Sequence, residues 1–303
     1  MITIRNLYKN YRKTEALRGV SLTVPAGKVT AFLGPNGAGK TTTIQCAMNL
    51  LERGSGSIEV LGTDPRRFTP DHWRRIGYVS ENQRLPGWMT VTSLLDYVRP
   101  MYGDRWDREF ERKLLADFDI PLKTRLGSLS RGQRMKAALL SAVVFRPQLV
   151  VLDEPFSGLD PLTRDEFLSG LLELTGTEGW TVWVSSHDIE EVERLADRVI
   201  MLNDGKVRLE DDVDALRERF RAVELVVAGD AVPPPALPDA WADLQTRPRG
   251  VSFVDTDYDE HRSQVQCREL FPDLTRHEAR AMTLREIFVA LARHQRTAKE
   301  VAR

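Results

Sequence analysis

The sequence predicts an α/β protein whose centre is a buried parallel sheet, and two observations indicate this fold class. The first is a set of almost continuous apolar runs at residues 29–33, 149–152 and 180–185. Runs of this length are typical of strands that are buried on both faces of a parallel sheet. The second is that segments with helical periodicity separate the runs, as the crossovers of a parallel sheet require.

Antiparallel strands are expected at the N-terminus, where apolar and polar residues alternate. The alternating apolar residues are Ile2, Ile4, Leu7, Val20, Leu22 and Val24. Such alternation is typical of strands with one buried face. Two further predictions are a strand over residues 71–79 and a hairpin over 199–209 whose turn contains Asp204 and Gly205.

A helical insertion is predicted over residues 82–145, interrupted by proline and glycine. Its apolar residues recur about three or four positions apart, which places them on one face of each helix. With the strands on either side, this insertion completes one domain over residues 1–210.

A second, smaller α/β domain is expected over residues 211–303. Thr283 and Glu286 have the spacing of a capping box, and the helix that they open should extend to residue 295. Before it come a charged helix, a strand, a proline break and a second strand, at residues 214–220, 224–228, 233–235 and 250–254.

Composition excludes several classes of protein. The formal net charge is −1, so no overall field attracts nucleic acid, and we expect no nucleic-acid partner. The sequence has no apolar run long enough to cross a membrane, and its N-terminus lacks the apolar core of a signal peptide. Cys46 and Cys267 match no metal-binding spacing and no disulfide framework. These features favour a cytoplasmic protein.

A glycine-rich loop follows the first buried strand and matches every fixed position of the phosphate-binding pattern Gly-x-x-x-x-Gly-Lys-Ser/Thr. Its glycines, Gly34, Gly37 and Gly39, should adopt positive φ so that backbone N–H groups reach phosphate oxygens. The helix predicted over residues 40–51 directs its positive end at the same anion. Lys40 should contact the β- and γ-phosphates, and Thr41 should ligate Mg²⁺. The pattern therefore predicts a nucleoside-triphosphate site rather than a plain strand-to-helix turn, with the loop residues Gly34, Pro35, Asn36, Gly37, Ala38, Gly39, Lys40 and Thr41.

Two carboxylates end the second buried strand. Asp153 stands where P-loop enzymes place an acidic residue that helps to hold Mg²⁺, and Glu154 is the candidate to polarise an attacking water. Upstream, the segment Leu-Ser-Arg-Gly-Gln at 129–133 precedes a predicted helix. Ser130 and Gly132 would form a second anion site at the N-terminus of that helix.

Together these motifs resemble those of the nucleotide-binding subunits of ATP-binding-cassette (ABC) transporters. The phosphate loop, the signature at 129–133, the Walker B strand at 149–154, the D-loop at 157–160 and the switch histidine His187 occur in the family's order. The resemblance covers residues 2–209. It implies a P-loop NTPase core with a parallel sheet, N-terminal antiparallel strands and a helical subdomain, and an ATPase that uses ATP and Mg²⁺.

The resemblance also implies roles for individual residues. Two copies of the chain would enclose two ATP molecules, with Ser130 reaching the γ-phosphate held by the other copy and Asp160 sensing the interface. The catalytic residues would be Glu154 and His187, and the metal would lie beside Thr41, Asp153 and Glu81. Besides the phosphate loop, the residues implied to contact ATP are Tyr11, by stacking on adenine, Thr42, Glu81, Ser130, Gly132, Gln133 and Asp160.

Two positions depart from the family's commonest pattern. Arg131 stands in the signature where glycine is frequent, and we expect no loss because that position varies. Glu81 stands where a glutamine is usual. Its oxygen can still ligate Mg²⁺, but its negative charge lies near the phosphates. Gln83 could take the place of that glutamine only if the loop register shifts. Some export-type members resemble this chain at Glu81, which favours export.

The leading hypothesis is an ATPase subunit that drives a separate integral-membrane permease, an exporter, from the cytoplasmic face of the cell membrane. Leu85, Trp88 and Met89 would line a groove for a coupling helix of the permease, or else belong to the core of the helical subdomain. The segment from residue 211 resembles accessory regions of some exporter cassettes and should support the homodimer.

Two other functions compete with this one. The first is a soluble ABC ATPase that acts on ribosomes or DNA, which the single cassette and the lack of a basic block disfavour. The second is a regulatory protein that hydrolyses ATP poorly, which the presence of Asp153, Glu154 and His187 disfavours.

Overall fold

The computed structural model describes residues 1–12, 14–231 and 237–291, which belong to two units that meet between Glu210 and Asp211. The α/β fold class predicted from the sequence is confirmed. Up to the boundary between the units, the helices and strands are β1 (Ile2–Tyr11), β2 (Thr14–Val24), β3 (Val29–Leu33), α1 (Lys40–Ala47), β4 (Ser55–Val60), α2 (Pro70–Trp73), β5 (Ile76–Val79), α3 (Val91–Tyr102), α4 (Arg108–Phe118), α5 (Arg131–Val143), β6 (Leu149–Asp153), α6 (Pro161–Glu178), β7 (Thr181–Ser186), α7 (Ile189–Val192), β8 (Arg198–Asn203) and β9 (Lys206–Asp212).

A six-stranded sheet forms the centre of the first unit, in the order β5-β6-β7-β3-β8-β9. Strand β3 lies inside it and pairs in parallel with both β7 and β8. Every residue of β3 and of β6 is buried, as their continuous apolar character predicts. Since the carboxyl ends of parallel strands meet at one edge, the loops after β3, β6 and β7 come together there.

The N-terminal strands form a separate three-stranded antiparallel sheet in the order β2-β1-β4. Its apolar face shares one core with the parallel sheet, and this core contains Ile4, Val20, Ile44, Phe32 and Trp183. The rings of Phe32 and Trp183 lie 5.4 Å apart. Each large apolar side chain buried here stabilises the fold by about 1.5–3 kcal/mol, so the phosphate loop rests on a rigid base.

Two predicted boundaries are wrong. The strand expected over 71–79 is confined to β5, because Pro70 begins helix α2 and the Thr69 N–H donates to His72 Nδ1 at 3.1 Å. The helix expected over 40–51 ends at Ala47, and Asn49 has a left-handed φ of 52°.

Helices α3, α4 and α5 lie within residues 82–145, the range predicted for a helical insertion. Met135, Leu139 and Leu140 of α5 are buried together on its inner side. Of the residues considered for a permease groove, Met89 belongs to the core, whereas the Trp88 side chain is 72% exposed. Among the described residues, no helix is both long enough and apolar enough to span a bilayer.

The elements of the second unit are α8 (Val213–Arg219), β10 (Arg221–Val227), β11 (Trp241–Arg247), β12 (Gly250–Asp255), α9 (Glu260–Leu270), β13 (Leu274–Ala281) and α10 (284–291). Its four strands form one sheet in the order β11-β12-β10-β13. Helix α9 packs on one face through Cys267, and Phe271, directly after the helix, belongs to the same core. The predicted capping box is present, since Thr283 N donates to Glu286 Oε2 at 2.9 Å and Glu286 N donates to Thr283 Oγ1 at 3.2 Å.

Parts of two predictions lie outside the described residues. These are the proline break at 233–235 and the part of the last helix beyond residue 291.

Candidate nucleotide site

The phosphate loop connects β3 to α1, and its positions require glycine for two different reasons. Gly37 and Gly39 have φ of 81° and 107°, which L side chains rarely adopt. Gly34 does not have positive φ, so that expectation is wrong. It is instead required by close approach, because a Cβ atom there would lie 2.2 Å from the carbonyl oxygen of Leu202. Helix α1 begins directly after Gly39, and the first N–H groups of a helix lack partners within it, so they are available to an anion bound by the loop.

The Lys40 side chain lies across the inside of this loop. Its Nζ donates to the carbonyl oxygen of Gly34 at 2.6 Å and pairs with Glu154 Oε1 at 2.9 Å. The two side chains of this ion pair are only 4% and 7% exposed, so water screens it little. The phosphate loop and the candidate base are therefore joined directly.

Glu154 is the first residue after β6 and has a left-handed φ of 50°. Its backbone N–H donates to Ser185 Oγ at 2.9 Å. Its Oε2 lies 2.8 Å from His187 Nδ1, so Lys40 and His187 hold the two oxygens of one carboxylate. This arrangement fixes the orientation of the carboxylate and leaves the His187 ring partly exposed.

Asp153 is buried at the end of β6, next to Glu154. Its Oδ1 accepts hydrogen bonds from Ser185 Oγ at 2.7 Å and from Thr41 Oγ1 at 3.1 Å. Burial raises the pKa of Asp153, as do the charges of Glu154 and Glu81, and these two hydrogen bonds oppose the shift.

Ser185 contacts both carboxylate residues, and the sequence analysis did not identify it. It is the penultimate residue of β7 and lies opposite Asp153 in the pairing of β6 with β7. In the sequence, Ser185 is recognisable only as a polar residue near the end of a buried strand. Its contact with Asp153 could not be predicted without the register of the two strands.

A cavity of about 430 Å³ opens above the loop. It brings together most of the predicted loop residues with Glu81, Glu154 and His187, and Asp153 lies behind Thr41. Ala16 and Ser157 also line it and were not predicted as site residues. The lining residues are Ala16, Asn36, Gly37, Ala38, Gly39, Lys40, Thr41, Thr42, Glu81, Glu154, Ser157 and His187.

Several predicted residues do not line this cavity, and the first of them are Gly34, Pro35 and Tyr11. Gly34 and Pro35 lie beneath it and present carbonyl oxygens to Lys40, at 2.6 and 3.4 Å. Tyr11 lies at the end of β1 rather than in a loop, and it is 44% exposed.

Glu81, rather than Gln83, faces the cavity. Gln83 Oε1 instead accepts hydrogen bonds from Ser80 Oγ at 3.0 Å and from the Ser80 N–H at 3.3 Å. The alternative register, in which Gln83 replaces the usual glutamine, is therefore not the one that the chain adopts.

The oxygen atoms at the loop fit a hard divalent cation. The Thr41 hydroxyl lies 3.1 Å from Asp153 Oδ1, and Glu81 lines the same cavity. The carboxyl groups of Glu81 and Glu154 are near enough to Asp153 to raise its pKa, so negative charge is concentrated here. Hydroxyl and carboxylate oxygens are the protein ligands that Mg²⁺ prefers, usually one or two of them together with phosphate and water.

The signature residues lie on another surface. Ser130 caps α5, and its Oγ accepts from the Gln133 N–H at 3.2 Å while Gln133 Oε1 accepts from the Ser130 N–H at 3.1 Å. Gly132 is required by close approach, since a Cβ atom there would lie 2.2 Å from Thr163 Cγ2. Ser130 and Gln133 line a separate groove of about 540 Å³.

Asp160 connects the D-loop to helix α6. It caps α6 by accepting hydrogen bonds from the Thr163 N–H at 3.0 Å and from Thr163 Oγ1 at 2.6 Å. These bonds lower the pKa of Asp160 and keep its carboxylate charged.

Comparison with known proteins assigns the family. A family model described as ABC transporter matches residues 17–157. The aliphatic sulfonates import ATP-binding protein SsuB 2 of Agrobacterium fabrum is 33% identical over 223 residues, which cover 73% of this chain and 83% of that protein. The molybdenum import ATP-binding protein ModC of Rhodobacter capsulatus is 36% identical over 198 residues, which cover 64% of this chain and 54% of that protein.

A solved structure agrees with these relatives. The dimeric structure of the bacterial ABC transporter cassette MJ0796 superposes with a TM-score of 0.62 at 25% identity, and the match covers 70% of this chain and 98% of that chain. The chain thus belongs to the ABC transporter family of ATP-binding proteins, and it is an ATPase.

Proposed function

We propose that this ATPase works as a homodimer that encloses two ATP molecules and drives a separate permease at the cytoplasmic face of the membrane. The observation that carries the proposal is the division of the motifs between two surfaces. The phosphate loop, Glu154 and His187 line one cavity, whereas Ser130 and Gln133 line another groove. A second copy would bring its signature to the cavity of the first. The dimeric solved relative supports this arrangement.

ATP binding requires Lys40 to change partners. The γ-phosphate would take the place of the Glu154 carboxylate beside Nζ, and the N–H groups at the start of α1 would donate to the phosphates. Thr41 and Asp153, with Glu81 near them, would hold Mg²⁺, which neutralises charge that develops on the phosphates during hydrolysis.

Release from Lys40 makes Glu154 available as a base. Its carboxylate would accept the proton of the attacking water, and His187 would keep it oriented through Oε2. A positioned general base contributes about 10²- to 10⁴-fold to such a reaction. Ser130 of the second copy would donate to the γ-phosphate from the N-terminus of α5, where the helix dipole favours an anion.

The direction of transport was expected to be export, and the relatives do not support that expectation. SsuB 2 and ModC are both named for import. We therefore propose a transport ATPase without assigning export. If the chain is isolated from membranes in a complex with an integral-membrane protein, that would support the proposal that it drives a permease. Isolation with ribosomes or DNA would overturn that part of the proposal.

The first test compares the purified wild-type chain with Glu154→Gln, by ATPase activity and by size-exclusion chromatography with Mg²⁺ and ATP. We expect the wild type to hydrolyse ATP. The variant should lose at least about 100-fold in turnover and elute as a dimer in ATP but not in ADP. Undiminished hydrolysis by the variant would show that Glu154 is not the base.

A mixing experiment tests whether the site is shared. Lys40→Ala disables the phosphate loop and Ser130→Arg disables the signature, so neither homodimer has an intact site. Random mixing should restore about a quarter of wild-type activity, because half of the dimers are mixed and each of these holds one intact site of two. A control confirms that the two variants form mixed dimers. If these mixed dimers have no activity, the phosphate loop and the signature do not act across copies.

A further inference from the structure

Glu191 is a buried carboxylate on α7, the short helix that follows His187, and it is not among the described residues that line the nucleotide cavity. Its side chain is only 2% exposed. Its Oε1 pairs with Arg164 Nη1 at 3.4 Å, and its Oε2 accepts a hydrogen bond from the Ser186 hydroxyl. Burial raises the pKa of Glu191, and these two partners oppose the shift. Each oxygen of this carboxylate therefore has a partner, as a buried charge requires.

Ser186 uses its single oxygen for a second contact. The N–H of Asp188 donates to Ser186 Oγ at 3.0 Å, so the hydroxyl closes a tight turn whose central residue is His187. A hydroxyl has one proton, and here Glu191 receives it, so a lone pair of the oxygen stays directed at the backbone of Asp188. Ser186 is completely buried, so water does not compete for its hydroxyl.

The position of His187 depends on this turn more than on the packing of its own ring. The His187 side chain is 42% exposed, and Nδ1 lies 2.8 Å from Glu154 Oε2. An exposed ring has several rotamers available, so the path of the backbone decides where Nδ1 can lie. The strand before the turn is held firmly, since every residue of β7 is buried. The turn at 186–188 is thus the link that sets where the ring begins.

We propose that Glu191 is a positioning residue for His187. By fixing the Ser186 hydroxyl, it holds the turn in the form that presents Nδ1 to Glu154 within the same copy of the chain. The proposal rests on the catalytic role proposed above for His187. Because Glu191 acts behind the turn rather than in the cavity, it affects the rate of hydrolysis and not the binding of ATP.

The test measures kcat and KM for ATP in Glu191→Ala and Ser186→Ala. We expect kcat to fall by about 10- to 100-fold in both variants, since displacement of a catalytic group by about 1 Å has effects of this size. KM should stay within about twofold, because the phosphate loop is untouched. If Glu191→Ala does not fold, Ser186→Ala carries the test, because it removes a single oxygen from the same contact.

Glu190→Ala is the matched control. Glu190 is the neighbouring carboxylate of α7, and it is exposed. We expect this variant to keep kcat and KM within about twofold of the wild type, as is usual for a substitution at the surface. An equal fall of kcat in Glu190→Ala and Glu191→Ala would show a general effect of charge near the turn and would overturn the proposal.

A cycle with His187→Ala separates positioning from loss of structure, with residual turnover followed by release of radioactive phosphate. In the His187→Ala background, neither Glu191→Ala nor Ser186→Ala should lower kcat further, because their effect passes through a ring that is already absent. If Glu191→Ala lowers kcat by the same factor in both backgrounds, its role is structural and the proposal is overturned.

The outcomes also distinguish this proposal from the proposed function. Wild-type kcat in His187→Ala would remove the catalytic role of the histidine and this proposal with it. Wild-type kcat in Glu191→Ala, beside an impaired His187→Ala, would overturn the positioning role alone. The ATP-dependent dimer of Glu154→Gln and the mixing experiment do not involve Glu191, so they test the ATP sandwich separately.

Discussion

The ion pair between Lys40 and Glu154 leads to a prediction about the chain without ATP. Nucleotide must draw Lys40 away from a carboxylate 2.9 Å distant before the amine can contact phosphate. Glu154→Gln keeps the shape of the side chain but removes its charge. We therefore expect this variant to bind ADP more tightly than the wild type, even though its turnover of ATP should be much lower.

The size of the effect follows from the interaction that is lost. A hydrogen bond to a charged group contributes about 1.5–3 kcal/mol, and loss of the carboxylate charge, which leaves glutamine to accept from the still charged Lys40 ammonium, removes about half of that. This loss of about 0.8–1.5 kcal/mol corresponds to roughly fourfold to twelvefold in affinity.

Calorimetric titration with ADP in the absence of Mg²⁺ measures this effect without hydrolysis, metal binding or closure on ATP. Glu81→Gln is the matched control, since Glu81 lines the same cavity without pairing with Lys40. Glu154→Gln should exceed the control by the stated factor. If the two variants tighten ADP binding equally, removal of negative charge near the phosphates explains the result, and the ion pair does not restrain Lys40.

Three further predictions concern stability and the signature. Burial raises the pKa of Asp153, so the folded chain holds that proton more tightly than the unfolded chain and stability falls as the pH rises above the usual value of 3.8. Asp153→Asn should therefore raise the melting temperature more at about pH 7 than at about pH 4, and equal changes would contradict this reasoning. Thr283→Ala removes a helix cap and should lower the free energy of unfolding by about 0.5–2 kcal/mol in urea denaturation, where no change would show that the cap contributes nothing. Gly132→Ala, in the Glu154→Gln background, should abolish the ATP-dependent dimer, and Thr163→Ser should partly restore it by removing the methyl group 2.2 Å from the new Cβ; failure to restore it would refute that steric explanation.

Residue identity predicted the parts of the site that depend on chemistry. Lys40, Thr41, Asp153, Glu154 and His187 were found because phosphate, metal and proton transfer each demand a narrow choice of side chains. The structure places all five at the carboxyl edge of one sheet, as the apolar runs before them indicate. Their roles in catalysis remain predictions for the experiments above.

Features that depend on register or on close approach were not predicted. Ser185 becomes significant only because β7 lies beside β6 with Ser185 opposite Asp153. Gly34 is needed because of Leu202, a residue distant in sequence. Strand β13 was also missed. It lies at the edge of its sheet and carries Arg276, Glu278 and Arg280. Charged residues at an edge prevent pairing with another strand, but they also remove the apolar alternation from which a strand is predicted.

Ser185 also determines how the catalytic edge can move. Its single oxygen donates to Asp153 and accepts from the backbone N–H of Glu154, at 2.7 and 2.9 Å. The residue that would hold the metal and the residue that would act as base cannot separate without breaking one of these bonds. Ser185 therefore favours their movement together, and the rearrangement that we propose for hydrolysis comes from the groups that approach this edge, which are Lys40, the nucleotide and the second copy.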